Sequence, residues 1–342
     1  MKGLGMKIIE DYVRRYKDLP TQTIAKKFLV DYPGVFKSLN SARMAVRRLR
    51  GEAGKAEEEK KYIREDLRRS KSERHKAYSY CPDEFEEPEG FRIVELNTKG
   101  VNQFLVIADM HIKFHHRKAI EATVEYAQSE KCDGILILGD FVDFYLLSSF
   151  LHDPRFPGVI EEVNAAKQML DWLTERLNPV RIVWKLSNHE KRLHSYLCRS
   201  SPEIAELAMQ FIPFDTLFET WRWNVEIVYP AQILRHEELL ILHGDEYASG
   251  LNTALASPAR WMIQKAKSCV LFAHFHQPSE HTETTAGGVD LTAWSLGCLC
   301  NLHPAYKPLN KWQHGFGVLK VAKKRQVWRF ENKRILKNLK IV

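Results

Sequence analysis

The sequence predicts an α/β domain of two packed sheets flanked by helices, preceded by a small all-helical module. Three observations carry this prediction. From about Phe91 onward, short apolar runs alternate with helical stretches. Toward the end of the chain β-like segments follow one another without helices between them, which suits two sheets better than one doubly wound sheet. The first fifty residues, by contrast, hold helical periodicity alone.

In that first segment, residues 7–16 place Ile8, Ile9, Tyr12 and Val13 at helical spacing. A second helix, capped by Thr21 or Thr23, carries Ile24, Ala25, Phe28 and Leu29 and stops near Pro33. A third, capped by Asn40 or Ser41, carries Ala42, Met44, Ala45, Val46 and Leu49 before Gly51 ends it. Three short helices with a basic third one resemble a helix-turn-helix unit, and Arg43, Arg47, Arg48 and Arg50 are its candidate nucleic-acid contacts. Docking on protein suits the same helix equally well.

Charge separates this segment from the rest. Residues 1–78 carry 21 Lys/Arg against 11 Asp/Glu, a net +10, whereas residues 79–342 carry 30 against 32, a net −2. A basic N-terminal module fits a polyanionic partner, and a solvated helical face is the alternative. Between 52 and 78 the pairs Glu57–Lys61 and Glu65–Arg69 favour an exposed helix, and the acidic run 82–90 reads as a linker. The expected organisation is a helical module over 1–51, a charged helical linker over 52–90 and an α/β domain over 91–342.

Within that domain, strands are expected at 104–108, 135–138, 181–186, 238–242 and 270–273, with helices over 117–130 and 159–177. Residues 291–295, 316–321 and 326–330 complete the β-like set. The composition, 44% hydrophobic and 27% charged, is that of a soluble protein. The longest apolar runs are too short to span a bilayer, and residues 1–11 lack a signal-type stretch, so no membrane partner is expected and a cytoplasmic location is. Cys298 and Cys300, without a second pair at zinc-ribbon spacing, read as small buried residues. No segment specifies an oligomeric state.

The chemistry lies at the strand ends. Asp109 and His111 follow the first strand, and at i,i+2 in an extended chain they point the same way. Gly139-Asp140 follows the second, with Asp143 three residues on; Ser187-Asn188-His189-Glu190 follows the third. His243 ends the next, and His274 with His276 closes the run. Open α/β sheets build their sites at strand carboxyl ends. Mixed carboxylates and imidazoles suit Mn, Fe or Zn, and the number of groups implies more than one ion. Two ions about 3.5–4 Å apart can clamp a phosphate and acidify a bridging water.

The pattern Asp109-x-His111, Gly139-Asp140-x-x-Asp143, Asn188-His189-Glu190, His243 and His274-x-His276 resembles the calcineurin-like metallophosphoesterase superfamily over roughly residues 100–280. The resemblance implies a four-layer α/β/β/α sandwich and two divalent ions, Mn first, with Fe or Zn as alternatives. One ion would be held by Asp109, His111, Asp140 and His276. The other would be held by Asp140, Asn188, His243 and His274, so that Asp140 bridges. It further implies in-line attack of a bridging hydroxide on a phosphate ester, with His189 contacting the phosphate and protonating the leaving oxygen. Asp143 would hydrogen-bond His189 and hold its ring. Ser187 and Ala273 stand where the family usually has glycine.

The intact Asn188-His189 pair resembles the nuclease branch, the DNA-repair exonuclease subunits, where Glu190 is commonly aspartate; the order of modules is similar to phage-encoded phosphoesterases, which would place the protein in a host cytoplasm. The substrate this implies is a phosphodiester of DNA or RNA. His243-Gly244-Asp245 also resembles lipid-precursor pyrophosphatases, which typically carry arginine at the place of His189. A phosphomonoesterase or small-nucleotide hydrolase is therefore the alternative. A DNA-binding or assembly protein with an inactive phosphoesterase domain is the third reading, and the complete ligand set argues against it.

Around the motifs, Lys191 and Arg192 are candidates for holding a phosphate. Asn301, His303, His314, His115, His116 and Arg117 either line the pocket or lie on the surface. Phe141, Phe144 and Tyr145 either stack on a base or pack in the core.

Overall fold

The run Gly134–Leu138 is apolar throughout because both of its faces are buried. In the computed structural model, Ile135 and Ile137 face a helical layer, while Leu136 and Leu138 face a second sheet. A strand alternates its side chains between faces, so a continuous apolar run marks a strand covered on both sides. The structure describes residues 2–51, 91–150, 153, 155–247, 257–321 and 328–342. The charged helix and acidic linker expected over 52–90 lie outside these residues. The chain divides into two units, residues 1–85 and 86–342.

The first unit holds α1 (Lys2–Arg15), α2 (Thr21–Asp31) and α3 (Leu39–Leu49). Ile9, Ile24, Phe28, Ala42 and Val46 are fully buried in one core, each large side chain contributing about 1.5–3 kcal/mol. Both expected caps shift. Pro20 stands at the start of α2 without a side-chain bond, which puts Thr21 inside the first turn. Ser38 caps α3, since its extended backbone lets its hydroxyl accept from Ser41 N at 3.2 Å, and Ser41 Oγ accepts from Ser38 N at 3.1 Å. Arg43 and Arg48 are exposed. The Arg50 guanidinium donates to Thr21 Oγ1 at 2.9 Å and to the Lys17 carbonyl, tying the end of α3 to the turn before α2.

Among the described residues, the second unit holds two six-stranded sheets. One orders β12 (Trp328–Arg334), β11 (Gly315–Val321), β2 (Gln103–Ile107), β3 (Gly134–Leu138), β4 (Arg181–Lys185) and β5 (Val225–Val228). The other orders β1 (Arg92–Glu95), β6 (Gln232–His236), β7 (Leu239–Ile241), β8 (Cys269–Phe272), β10 (Asp290–Ser295) and β9 (Ser279–Thr284). Strands β2 to β5 run parallel, as do β7, β8 and β10.

Helices α4 (Arg117–Ser129) and α5 (Val159–Leu177) cover the outer face of the first sheet through Ile120, Val124, Val163 and Leu170. Helix α9 (Pro258–Ala266) covers the other sheet through Met262 and Ile263, packed with Val270 and Phe272. The layers are therefore α/β/β/α, as the resemblance implied. Helices α6 (Lys191–Ser200), α7 (Pro202–Phe211) and α8 (Phe214–Phe218) follow β4, and the last two were not expected. Strands β1, β5, β6 and β9 were also missed. Three of these are sheet edges, paired on one side only, and the sequence Ser279–Thr284 is polar enough to show no apolar signal.

Candidate metal centre

Because β2, β3 and β4 are adjacent and parallel, their carboxyl ends set Asp109, Asp140 and Asn188 side by side. The parallel pair β7 and β8 of the facing sheet does the same for His243 and His274. Convergence within each motif does not come from the extended-strand alternation read from the sequence. Asp109, His111, Asp140, His274 and His276 have φ of 50°, 47°, 48°, 68° and 58°, all left-handed. Residues with a Cβ adopt that region at a penalty, so each turn folds sharply back into the centre only because the surrounding packing holds it.

Four groups of candidate donor atoms result among the described residues, and two of them contain Asp140. Asp109, His111, Asp140 and His276 bring one donor each within 4.8 Å of one another, and Asp140, His243 and His274 do likewise. In the group with Asp109, His276 Nε2 lies 3.2 Å from Asp109 Oδ1 and 3.3 Å from His111 Nε2. In the group with His243, its Nε2 lies 3.3 Å from Asp140 Oδ2 and 3.3 Å from His274 Nδ1. Asp140 belongs to both groups.

These groups fit divalent ions. Asp109 Oδ1 is buried and accepts no hydrogen bond despite its short distance to His276, so both atoms face a common third point. Asn188 Oδ1 is likewise buried without a partner. The second nitrogens of two imidazoles are already engaged: His243 Nδ1 with the Leu138 carbonyl at 2.7 Å, His111 Nδ1 with Asp143 Oδ2 at 2.9 Å. Each such bond places the proton on Nδ1 and leaves Nε2 as a lone pair aimed into the centre. Burial opposes ionisation of Asp140, yet His189, His243 and His111 hold its carboxyl well below the usual range. Burial likewise opposes protonation of His276, but Asp109 raises it to about 10. Two buried carboxylates thus draw positive charge into the centre, a demand that cations satisfy.

Three further carboxylates brace the turns. Glu190 accepts from Phe141 N at 2.8 Å, Asp140 N at 3.2 Å and Ser187 N at 3.0 Å, joining the second motif to the third. Glu162 of α5 accepts from the Asp143, Phe144 and Tyr145 amides, and burial pushes its carboxyl up to about 7 against their pull. Glu246, paired with the buried Lys185 at 3.0 Å, accepts from Gly244 N at 2.7 Å behind His243. A Cβ on Gly139, whose φ is 82°, would stand 2.4 Å from His243 Nδ1 and 2.6 Å from Ser187 Cβ. Ser187 and Ala273 have no positive φ, so glycine is not required there; the Ser187 hydroxyl accepts from Asp140 N at 2.8 Å.

Asp143 meets His189 as expected, but through its main chain: His189 Nδ1 donates to its carbonyl at 3.0 Å and stands 3.6 Å from Oδ2, while the carboxylate accepts from His111 and, at 2.9 Å, from Arg192. His189 Nε2 lies 3.6 Å from Asp140 Oδ2 and accepts from Arg192 at 3.1 Å, and burial pushes its imidazole down to about 3, in spite of the nearby Asp140 charge. Lys191 is engaged with Asp245 at 3.1 Å.

The centre opens on a cleft of about 970 Å³ with His111 and Asp143 in its wall. Asn301, His303, His314, His116 and Tyr145 line it, whereas His115 and Arg117 line a separate groove. Phe141 and Phe144 are fully buried against Trp184 and Phe218, which settles them as core. Sequence reading missed Glu162, Phe114, Phe156, Tyr306 and Trp312. None sits in a strand-end motif, and only the aromatic content of 114, 156, 306 and 312 could have drawn notice. Cys298 and Cys300 are buried as expected, with Cys300 Sγ 3.8 Å from His276 Nδ1.

Residues 103–307 match the calcineurin-like phosphoesterase family. The chain belongs to that family. As a calcineurin-like phosphoesterase it is 25% identical over 233 residues to the gene 54 protein of Mycobacterium phage D29, covering 64% of this chain and 89% of that one. The gene 54 protein of Mycobacterium phage L5 is 24% identical over the same shares. Among solved structures, a Vps29 single mutant from Entamoeba histolytica aligns over 70% of this chain and 97% of its own at 9% identity, with a TM-score of 0.37. The phosphoesterase Yfce from E. coli aligns over 67% and 98% at 15% identity, with a TM-score of 0.32. No described helix is long and apolar enough to cross a membrane.

Proposed function

We propose that this calcineurin-like phosphoesterase is a metal-dependent phosphodiesterase acting on nucleic acid. The observation that carries the reading is the pair of donor groups sharing Asp140, with His189 and Arg192 beside them. Asp109, His111, Asp140 and His276 would hold one divalent ion, and Asp140, Asn188, His243 and His274 the other. Bound there, two ions of the Mn, Fe or Zn type supply Lewis acidity and a water deprotonated at neutral pH.

The protein's own groups do the rest. Arg192 meets the phosphate, because its guanidinium already stands between Asp143 and His189 and forms a planar fork suited to phosphate oxygens. When Arg192 turns to the phosphate, His189 Nε2 loses its donor and gains a negative neighbour. Both changes raise its pKa and let it protonate the leaving oxygen, a contribution of about 10²–10⁴-fold. Asp143 positions His111 and Arg192 rather than touching substrate. Arg43, Arg47 and Arg48 on α3 serve as nucleic-acid contacts of the N-terminal unit, and Arg50 braces that unit. The two phage relatives favour a host cytoplasm as the place of action.

Cleavage of end-labelled single- and double-stranded DNA with Mn²⁺, wild type against Asp140→Asn, tests this. Metal-dependent cleavage lost in the variant supports it. No cleavage with chromogenic esters still hydrolysed moves the substrate to monoesters and small nucleotides. Silence on every ester leaves a DNA-binding or assembly role.

A further inference from the structure

The cleft beside the metal centre has aromatic rings in two places, and no motif accounts for them. Phe114, Tyr145 and Phe156 form one cluster, with Phe156 ring centroids 5.4 Å from Phe114 and 4.7 Å from Tyr145. Tyr306 and Trp312 form another, their centroids 6.4 Å apart. All five line the same cleft as His111 and Asp143. Trp312 also packs on the candidate ligand His276, 4.2 Å between ring centroids, so this second cluster begins at the centre itself.

Phe156 is 37% exposed and Tyr306 is 71% exposed. Burying such rings is favourable, so aromatic faces clustered and left open beside a polar site are available to a ligand. The cleft volume of about 970 Å³ falls in the range of roughly 300–1,000 Å³ typical of small-molecule sites. Cationic groups accompany the rings: Lys337 lines the cleft, Lys307 lies 5.5 Å from the Trp312 ring, and Arg192 reaches Asp143 in the wall. Aromatic faces with cations next to a phosphate-directed centre match one chemistry, a flat base carried on a phosphodiester.

We propose that this cleft binds an unstacked nucleobase next to the scissile phosphate, so that the substrate is a single strand or a frayed end rather than an intact duplex. The proposal rests on the phosphodiesterase reading above. In a duplex each base has both faces covered by its neighbours, and opening it costs a few kcal/mol before any ring of the protein can stack on it. A single strand offers those faces at once, and stacking tolerates any base because every base has a π-face.

The test uses the full chain with Mn²⁺ and 5′-labelled oligonucleotides of one sequence: single-stranded DNA, single-stranded RNA, duplex DNA, and single strands with one abasic position moved along the chain. Single strands are expected to be cut at least about tenfold faster than duplex. An abasic residue is expected to slow cleavage about tenfold only at the position beside the cut. In Tyr306→Ala and Phe156→Ala the intact strand drops toward the abasic rate, so the intact-to-abasic ratio collapses toward one. The faster of DNA and RNA identifies which sugar carries the base. Equal cutting of intact and abasic strands, or preference for duplex, overturns the proposal while leaving a phosphodiesterase. If no strand is cut, the nucleic-acid reading itself falls.

Discussion

Asp143 Oδ2 lies 2.9 Å from His111 Nδ1, so the carboxylate that follows β3 sets the tautomer of the imidazole that follows β2. This bond links two strand ends and decides which nitrogen of His111 faces Asp109 and Asp140. Losing it frees the ring to rotate and to move its proton to the wrong atom. Asp143→Ala is therefore expected to weaken Mn²⁺ binding about 10–100-fold while the protein stays folded. Calorimetric titration with Mn²⁺ checks this, and unchanged affinity would show that packing alone orients His111.

Metal binding is also expected to be visible as stability. The donor atoms come from the ends of strands in both sheets, and an unfolded chain cannot assemble them. Each ion at a hundredfold excess over its Kd adds about 2.7 kcal/mol. For a unit of this size that raises Tm by roughly 5–10 °C. Thermal melts with and without Mn²⁺ read the shift directly. Asp140→Asn should lose most of it, because the missing charge belongs to both groups.

Gly139→Ala tests the turn that carries Asp140. The new Cβ would need a left-handed backbone and would meet His243 Nδ1 at 2.4 Å. We expect a loss of about 2–4 kcal/mol in urea unfolding, from strain and overpacking together. Metal affinity should fall with it, since His243 must move. A fully stable alanine variant would mean that the turn can rearrange without the centre.

Glu162 gives a pH signature. Its carboxyl rises from an ordinary 4.5 to about 7 in the fold, so the stability it contributes is fully present below pH 4.5 and is lost as the pH climbs through 7. The difference between wild type and Glu162→Gln should therefore change between pH 4.5 and 8 by about 3 kcal/mol at most, with the wild type losing ground as pH rises. Chemical denaturation across that range is the measurement. A pH-independent difference would mean that Glu162 stays ionised at its three amides.

Much of the candidate centre was legible in the sequence because its donor residues come as short motifs after apolar strands, in a pattern that resembles a known family. Asp109, Asp140 and His274 could each be placed from their own neighbours. Glu162 could not, since it reaches the Asp143–Tyr145 turn from a helix that begins 14 residues beyond that turn. The edge strands β1, β5 and β9 were hidden for a related reason: with solvent on one side they need no apolar run. Phe141 and Phe144 show the converse, aromatic residues beside a motif that the fold turns into Trp184 and Phe218 rather than into the cleft.

By itself the sequence determined that two sheets flanked by helices follow a basic helical module, and it set candidate donor residues after the strands, because period, charge and motif spacing are local properties of the chain; the resemblance to a known family supplied the four layers and the grouping of those donors. Only the tertiary structure decided that Asp143 holds His111 and Arg192 by its carboxylate, that Glu162 reaches the Asp143–Tyr145 turn from α5, and that Phe156 and Tyr306 line one cleft. Those relations depend on which strand ends meet when two sheets pack, and on left-handed backbone at Asp109, Asp140 and His276, a conformation uncommon for any residue with a Cβ.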